Sequence, residues 1–396
     1  MAKRTLAEIT EATKMMPDDD KKRKALPKTP PAYETGDEHT DRLALQKLSK
    51  DLRAGAAAVK RSGARLILDM FYQQQETRET YANYVRAAEA NGEPSEFFQL
   101  KLGNAWAEEN QNRLALESFA GRYKVGNWIT SIHGLGPITA AGMLSFIDIR
   151  RADYVGKIWK FGGMAGETIW RSKAEAEKFV TELMGGKKRV TTEHIAACAE
   201  YADRKLGNFQ RSFDQMRKKG SVKQVDALVK ATCMRPYNKK FKTFCLGRIA
   251  GSLIKTKDGD GPDKVNFYGH AYRAHKAWIE EQNKASVYEK DALALQSSVG
   301  KSTKAYQFYK DGYLPPGHVD RRAQRFMMKL LLSHVHCALF EDFYGETAPL
   351  PWILAKDDNH NQYIAPPNWP IADDMPGEPL SVLYEGSDPV PEGEGR

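Results

Sequence analysis

Apolar positions recur at helical spacing through most of the chain, and no run alternates strictly between apolar and polar as a half-buried strand would. The pattern predicts helix over about 43–90, with Leu66, Met70, Tyr81 and Val85 as its apolar positions and no proline to interrupt it. A second helix is predicted over about 94–122. The pair reads as an antiparallel hairpin or as a coiled coil that brings copies of the chain together into a homo-oligomer. The lack of clean heptads favours packed core helices. Three helical segments are expected over about 173–231, with Gly185-Gly186 and Gly220-Ser221 as breaks and Thr191-Thr192-Glu193 as a helix start. Further helices are expected over about 238–255 and 267–283. Pro315-Pro316-Gly317 then stops the chain before an amphipathic helix over about 318–344. The expected fold is mostly α, a multi-helix domain between disordered terminal segments.

Composition sharpens the two ends. Residues 1–41 alternate Asp18-Asp19-Asp20 with Lys21-Lys22-Arg23-Lys24 and carry Pro27, Pro30 and Pro31, so a disordered charged arm is expected there. Residues 346–396 read as an extended, Pro-rich and increasingly acidic tail that either solvates or folds back on a basic face. Between them the expected organisation is a helical region over 42–125 and a domain over 126–345 with a helical insertion at about 174–231. Of 396 residues, 28% are charged and the net charge is +9, which favours a polyanionic partner without identifying it. No apolar run is long enough for a membrane span, and the N-terminus lacks the apolar core of a secretory signal. A soluble, cytoplasmic protein is expected. Cys198, Cys233, Cys245 and Cys337 are not at metal-ligand spacing and suggest no disulfide framework.

The most informative segment is Trp128-Ile129-Thr130-Ser131-Ile132-His133-Gly134-Leu135-Gly136-Pro137-Ile138-Thr139-Ala140-Ala141. It reads as helix, Gly-x-Gly turn, helix. Both glycines permit positive φ, and Pro137 suits the first turn of the new helix. The N–H groups of such a turn, with the helix N-terminus behind them, form a phosphate site that needs no side-chain charge. Gly134, Leu135, Gly136, Ile138 and Thr139 are the residues expected at a nucleic-acid backbone. A plain structural turn between two packed helices is the competing reading.

The segment 132–149, followed by Ile158-Trp159-Lys160-Phe161-Gly162-Gly163-Met164-Ala165-Gly166, resembles the C-terminal domain of DEDD-type insertion-sequence transposases, the bridge-RNA-guided enzymes. In that family an apolar helix leads into a Pro-Gly-x-Gly-Pro hairpin, an acidic end and an aromatic, Gly-containing stretch. Here His133 stands for the first proline, Ile147-Asp148-Ile149 for the acidic end, and Gly163-Met164-Ala165 for the last element. A weaker echo lies over 237–246. The resemblance covers about 40 residues. It implies DNA binding, a mobile-element or phage setting and DNA recombination. The family's N-terminal RNase H-like domain has no counterpart before Trp128, where Asp69 lies in a helical pattern. The family also uses a serine shortly after the hairpin, and Ser172 lies in about that place without the following glycine.

Three further candidate sites follow from residue patterns. Ser172, between Arg171 and Lys173, is either a phosphate-attacking nucleophile or the first residue of a Ser-x-x-Glu capping box with Glu175. Arg171 would then face phosphate. Lys239, Lys240 and Lys242 open a helix whose positive end favours phosphate, or else form a solvated face. Arg321, Arg325 and Lys329 share one helical stripe that Arg322 widens. Two histidine pairs, His334 with His336 and His270 with His275, are poorly spaced to share a metal ion. No phosphate loop or dinucleotide fingerprint is present. No cofactor is expected, and Mg2+ would enter only with nuclease activity of the chain or of a partner. The leading expectation is a DNA-binding, transposase-related protein, with RNA also open. A serine-dependent recombinase, transposase or nuclease, and a structural or interaction protein, are the alternatives.

Overall fold

Helices account for nearly all regular structure in the computed structural model, which describes residues 47–165, 170–218, 223–350 and 363–386. The charged arm expected over 1–41, the acidic end after 386 and the Gly220-Ser221 break lie outside the described residues. Among the described residues there is no strand, only an isolated parallel bridge between Tyr123 and Glu378. In chain order the helices are α1 (Lys50–Ala57), α2 (Arg61–Asn91), α3 (Glu96–Gly121), α4 (Lys124–Ser131), α5 (Pro137–Phe146), α6 (Val155–Phe161), α7 (Lys173–Met184), α8 (Thr192–Tyr201), α9 (Leu206–Lys218) and α10 (Gln224–Thr232). There follow α11 (Lys239–Thr243), a π-helical stretch Phe244–Ile249, α12 (Ala250–Lys255), α13 (Phe267–Lys284), α14 (Glu289–Leu295), α15 (Lys304–Lys310) and α16 (Pro316–Tyr344). The chain divides into two units: Gly156–Gly247, and the residues on either side of it.

In the first unit α2 and α3 form an antiparallel hairpin. Arg78 pairs with Glu109 at its middle, and the Tyr84 and Phe98 rings meet near its turn. Both helices pack on α5, so the 42–125 region shares a core with the Gly-x-Gly hairpin. Two sequence expectations need correction. The predicted 43–90 helix is broken at residues 58–60, where α1, capped by the Ser49 hydroxyl, ends before α2 starts. The apolar positions also sit differently: Leu66 and Met70 are exposed, while Ala64, Leu68, Phe71 and Ala82 are buried. The buried face alternates small residues, Ala64 and Ala82, with the large Leu68 and Phe71, while Leu66 and Met70 point away from it.

α13 lies antiparallel along α16 and supplies much of the remaining core. Tyr268 meets His334, His275 stacks on Phe326, and Asn283 binds the Leu314 backbone. The segment 363–386 does not behave as a solvating tail. Leu380, Leu383 and Tyr384 are buried, and the Tyr384 hydroxyl accepts the Ile149 N–H at 3.2 Å. Trp369 packs edge-on against Trp128, whose indole N–H donates to the Pro367 carbonyl at 3.1 Å. Glu378 binds the Arg122 side chain and pairs with the backbone of Arg122 and Lys124.

The second unit contains four helices over 173–232 where three were expected, with α6 and α11 beside them, and it extends beyond the 174–231 insertion at both ends. Its core includes Val180, Ile195, Cys198, Phe209, Phe213 and Leu228. Thr191 caps α8 as predicted, and Gly185 ends α7 in the left-handed conformation. None of the four cysteines is paired.

Candidate nucleic-acid interface

The Gly-x-Gly hairpin is built from α4, the turn and α5. Val125, Trp128 and Ile129 bury α4; Ala141, Met143 and Leu144 bury α5. The turn between them is closed by the Leu135 N–H, which donates to the Ile132 carbonyl at 3.0 Å, and the Leu135 side chain is buried. Leu135 therefore offers neither backbone nor side chain to a ligand, contrary to the sequence expectation. The two glycines also differ. Gly134 has φ +90°, whereas Gly136 has φ −109° and ψ 179°, an extended conformation open to any residue. A Cβ on Gly134 would lie 3.1 Å from Leu253 Cδ2; one on Gly136 would meet nothing within 4 Å.

The N-terminus of α5 is left uncapped. No side chain accepts from its first turn, and Pro137 has no N–H to give. The N–H groups of Gly136, Ile138 and Thr139 have no acceptor among the described residues. The opposite end of the helix is closed. Arg61 donates to the Leu144 carbonyl at 3.2 Å and Arg65 to that of Ser145 at 2.9 Å. The negative pole is thus neutralised by two guanidinium groups while the positive pole remains open. Asp148, the acidic end of the resemblance, fixes Arg61 at 2.9 Å and Arg150 at 3.0 Å. Burial acts to raise the Asp148 carboxyl, but the Arg150 hydrogen bond and the Arg61 charge outweigh it, and the group is held below the usual carboxylate range.

Beneath the turn lies the end of α12. Asn266 Nδ2 donates to the carbonyls of Leu253 (2.7 Å) and Thr256 (2.8 Å), which holds that backbone against Gly134. His133 Nε2 donates to the Lys257 carbonyl at 2.9 Å. Lys255 and Lys257, both exposed, consequently flank the turn. Sequence reasoning missed them because their proximity comes from a contact more than a hundred residues away.

The predicted arginine stripe is on α16. Arg321 and Arg325 are exposed; Arg321 binds Gln324 at 2.8 Å. Arg322 is engaged by Asp291 at 2.8 Å and lies over the Tyr288 ring, so it belongs to a packed contact. Lys329 is lowered by burial and by Arg325. The stripe and the turn do not form one patch. The turn lies near the α13 start and His334, and thirteen residues of α16, about 20 Å of helix, separate His334 from Arg321.

In the second unit Ser172 is the N-cap of α7. Its hydroxyl accepts the Glu175 N–H at 3.2 Å, and its own N–H donates to the Glu175 carboxylate at 2.7 Å. Both bonds are those of a capping box, and the Glu175 carboxylate is held below its usual range by them. Arg171 donates from Nε to the Tyr201 carbonyl at 3.0 Å and lies over that ring, so it is engaged in packing within the unit. Lys239 and Lys240 are exposed, and Lys242 lies over the Tyr237 ring. Phe241, Phe244, Cys245 and Ile249 are buried, as their spacing predicts. The two stretches carrying the resemblance after the hairpin meet here: Asn238 N–H donates to the Phe161 carbonyl at 2.8 Å, and the Tyr237 ring lies against Gly163.

The histidines have separate partners. His334 Nε2 donates to the Ile364 carbonyl and Nδ1 accepts from the Tyr268 hydroxyl, while His336 donates to the Ala152 carbonyl. Among the described residues no cluster of His, Cys, Asp and Glu is arranged to hold a metal ion, and no helix is long and apolar enough to cross a membrane. No family model, curated protein or solved structure matches the chain.

Proposed function

We propose that the chain binds nucleic acid along its phosphate backbone, with the N-terminus of α5 as the contact. The observation that carries this reading is the triad of unpartnered N–H groups at Gly136, Ile138 and Thr139, beside a Gly136 with open space where a Cβ would stand. A phosphate oxygen there accepts two or three N–H bonds and meets the positive pole of the helix. Exposed Lys255 and Lys257 add charge beside it. Such a contact positions the protein without reading sequence. The resemblance makes DNA the first partner to test, and a recombination setting the first biology. Ser172 in its capping box lends no support to a serine nucleophile.

Gly136 is the diagnostic position. Gly136→Ala fits the backbone and the free space, so binding should stay close to wild type. Gly136→Glu puts a carboxylate where the phosphate sits and should weaken duplex binding at least tenfold. Fluorescence anisotropy on a labelled DNA duplex at graded salt measures both, and the wild-type affinity should fall steeply with salt. Equal duplex affinity in Gly136→Glu and wild type would refute the assignment.

A further inference from the structure

Three aromatic rings are stacked where α13 meets α16. The His275 imidazole lies on the Phe326 ring with centroids 3.9 Å apart and planes within 17°. Trp278, one turn along α13, follows on His275 at 5.4 Å and 20°. Phe326 and His275 are partly covered, but Trp278 is 50% exposed. Burial lowers His275, which favours the uncharged imidazole as the middle ring. The stack therefore ends in a large, half-exposed ring held nearly parallel to its neighbours.

The surroundings select the chemistry. Ala274 and Ala277 beside Trp278 are exposed and too small to cover it. On α16, Arg325 immediately precedes Phe326, Lys329 follows it by one turn, and Arg321 precedes Arg325 by one turn. Arg325 is exposed and has no ion-pair partner among the described residues. Glu280 and Glu281 lie towards the α13 C-terminus, and the one carboxylate of α16 near this level, Asp320, is engaged by Lys276, Tyr272 and Gln324. An exposed aromatic shelf on a helix pair that also carries exposed arginines fits an unpaired base of a polyanionic strand. A paired base is closed to stacking by its neighbours in the duplex.

We infer that Trp278, the half-exposed end of the stack it forms with His275 and Phe326, on a helix pair whose α16 carries Arg321 and Arg325, is a stacking site for an unpaired nucleobase. The inference rests on the nucleic-acid reading above and narrows it to a strand with unpaired bases. The site lies well away from the Gly136 contact, so one molecule presents a backbone contact and a base contact separately.

The test compares a labelled oligothymidylate with a labelled, fully paired linear duplex on the full chain. Trp278→Ala should lose about tenfold in affinity for the single strand, and Trp278→Phe should keep most of it. Duplex affinity should be unchanged in both variants. Arg325→Ala should also weaken the single strand. Wild-type single-strand affinity in Trp278→Ala overturns the site, as does an equal loss on both probes. Self-association that is lost in Trp278→Ala, with oligonucleotide affinity intact, overturns it in favour of a protein partner. Gly136→Glu separates the two readings. Retained duplex affinity there, with single-strand loss in Trp278→Ala, removes the hairpin contact and leaves the stack. A wild-type chain that binds neither probe removes both.

Discussion

Gly134 and Gly136 are two residues apart and serve different ends. Gly134 holds a left-handed conformation against Leu253 and Thr256, so it builds the turn. Gly136 is extended and uncrowded, so it leaves the helix terminus accessible. Gly134→Ala should cost about 1–2 kcal/mol, from backbone strain plus a slight displacement of Leu253. Gly136→Ala should stay within about 0.5 kcal/mol. Urea unfolding of the two variants checks the difference, and a Gly136→Ala loss as large as that of Gly134→Ala would contradict it. From sequence the glycines look alike, because the atom that separates them, Leu253 Cδ2, comes from far along the chain. Ser172 is the opposite case. Its capping box is complete within four residues and was legible, whereas Arg171 looked free because its partner Tyr201 lies thirty residues on.

Among the elements, α2 shows most clearly why a buried face can be misread. Its buried positions include 64, 68, 71, 78 and 82. These follow alternating four- and three-residue steps once Gln75 is included, the spacing of a packed helix seam. Polar Gln75 and Arg78 hide the seam from a search for apolar residues, while exposed Leu66 and Met70 imitate one. Arg78 is accommodated by Glu109 on α3 and by the Trp106 ring, 4.3 Å from the guanidinium. Removing one partner leaves the other charge in a nearly dry contact. Glu109→Leu or Arg78→Met should each destabilise the first unit by about 3 kcal/mol. The double variant Arg78→Met/Glu109→Leu should be much less destabilised than the sum of the single changes. Additive losses in chemical denaturation would show that the two side chains do not act as a pair. By contrast α4, α5 and α16 were legible, since glycine and proline mark their ends locally.

At the scale of the whole molecule, the 363–386 segment was the least legible part. It has no helical period, and its Pro and acidic content describe a tail; yet Leu380, Leu383 and Tyr384 complete the core of the first unit. Its attachment includes His334, buried between Tyr268 and the Ile364 carbonyl. Burial pushes His334 down to about 4 from an ordinary 6.5. His275, His318 and His336 are lowered in the same direction, each mainly by burial. Between pH 6.5 and 4 the unfolded chain therefore binds protons that the folded chain does not. Stability is greatest above this window and declines as pH falls through it. For His334 the difference of 6.5 and 4 corresponds to about 3 kcal/mol across the window. The urea midpoint should fall from pH 7 to pH 5, and His334→Gln should flatten the decline even though it costs stability at pH 7. A midpoint that holds constant or rises over that interval would mean that these imidazoles take up protons in the folded protein at least as readily as in the unfolded chain, contrary to their burial.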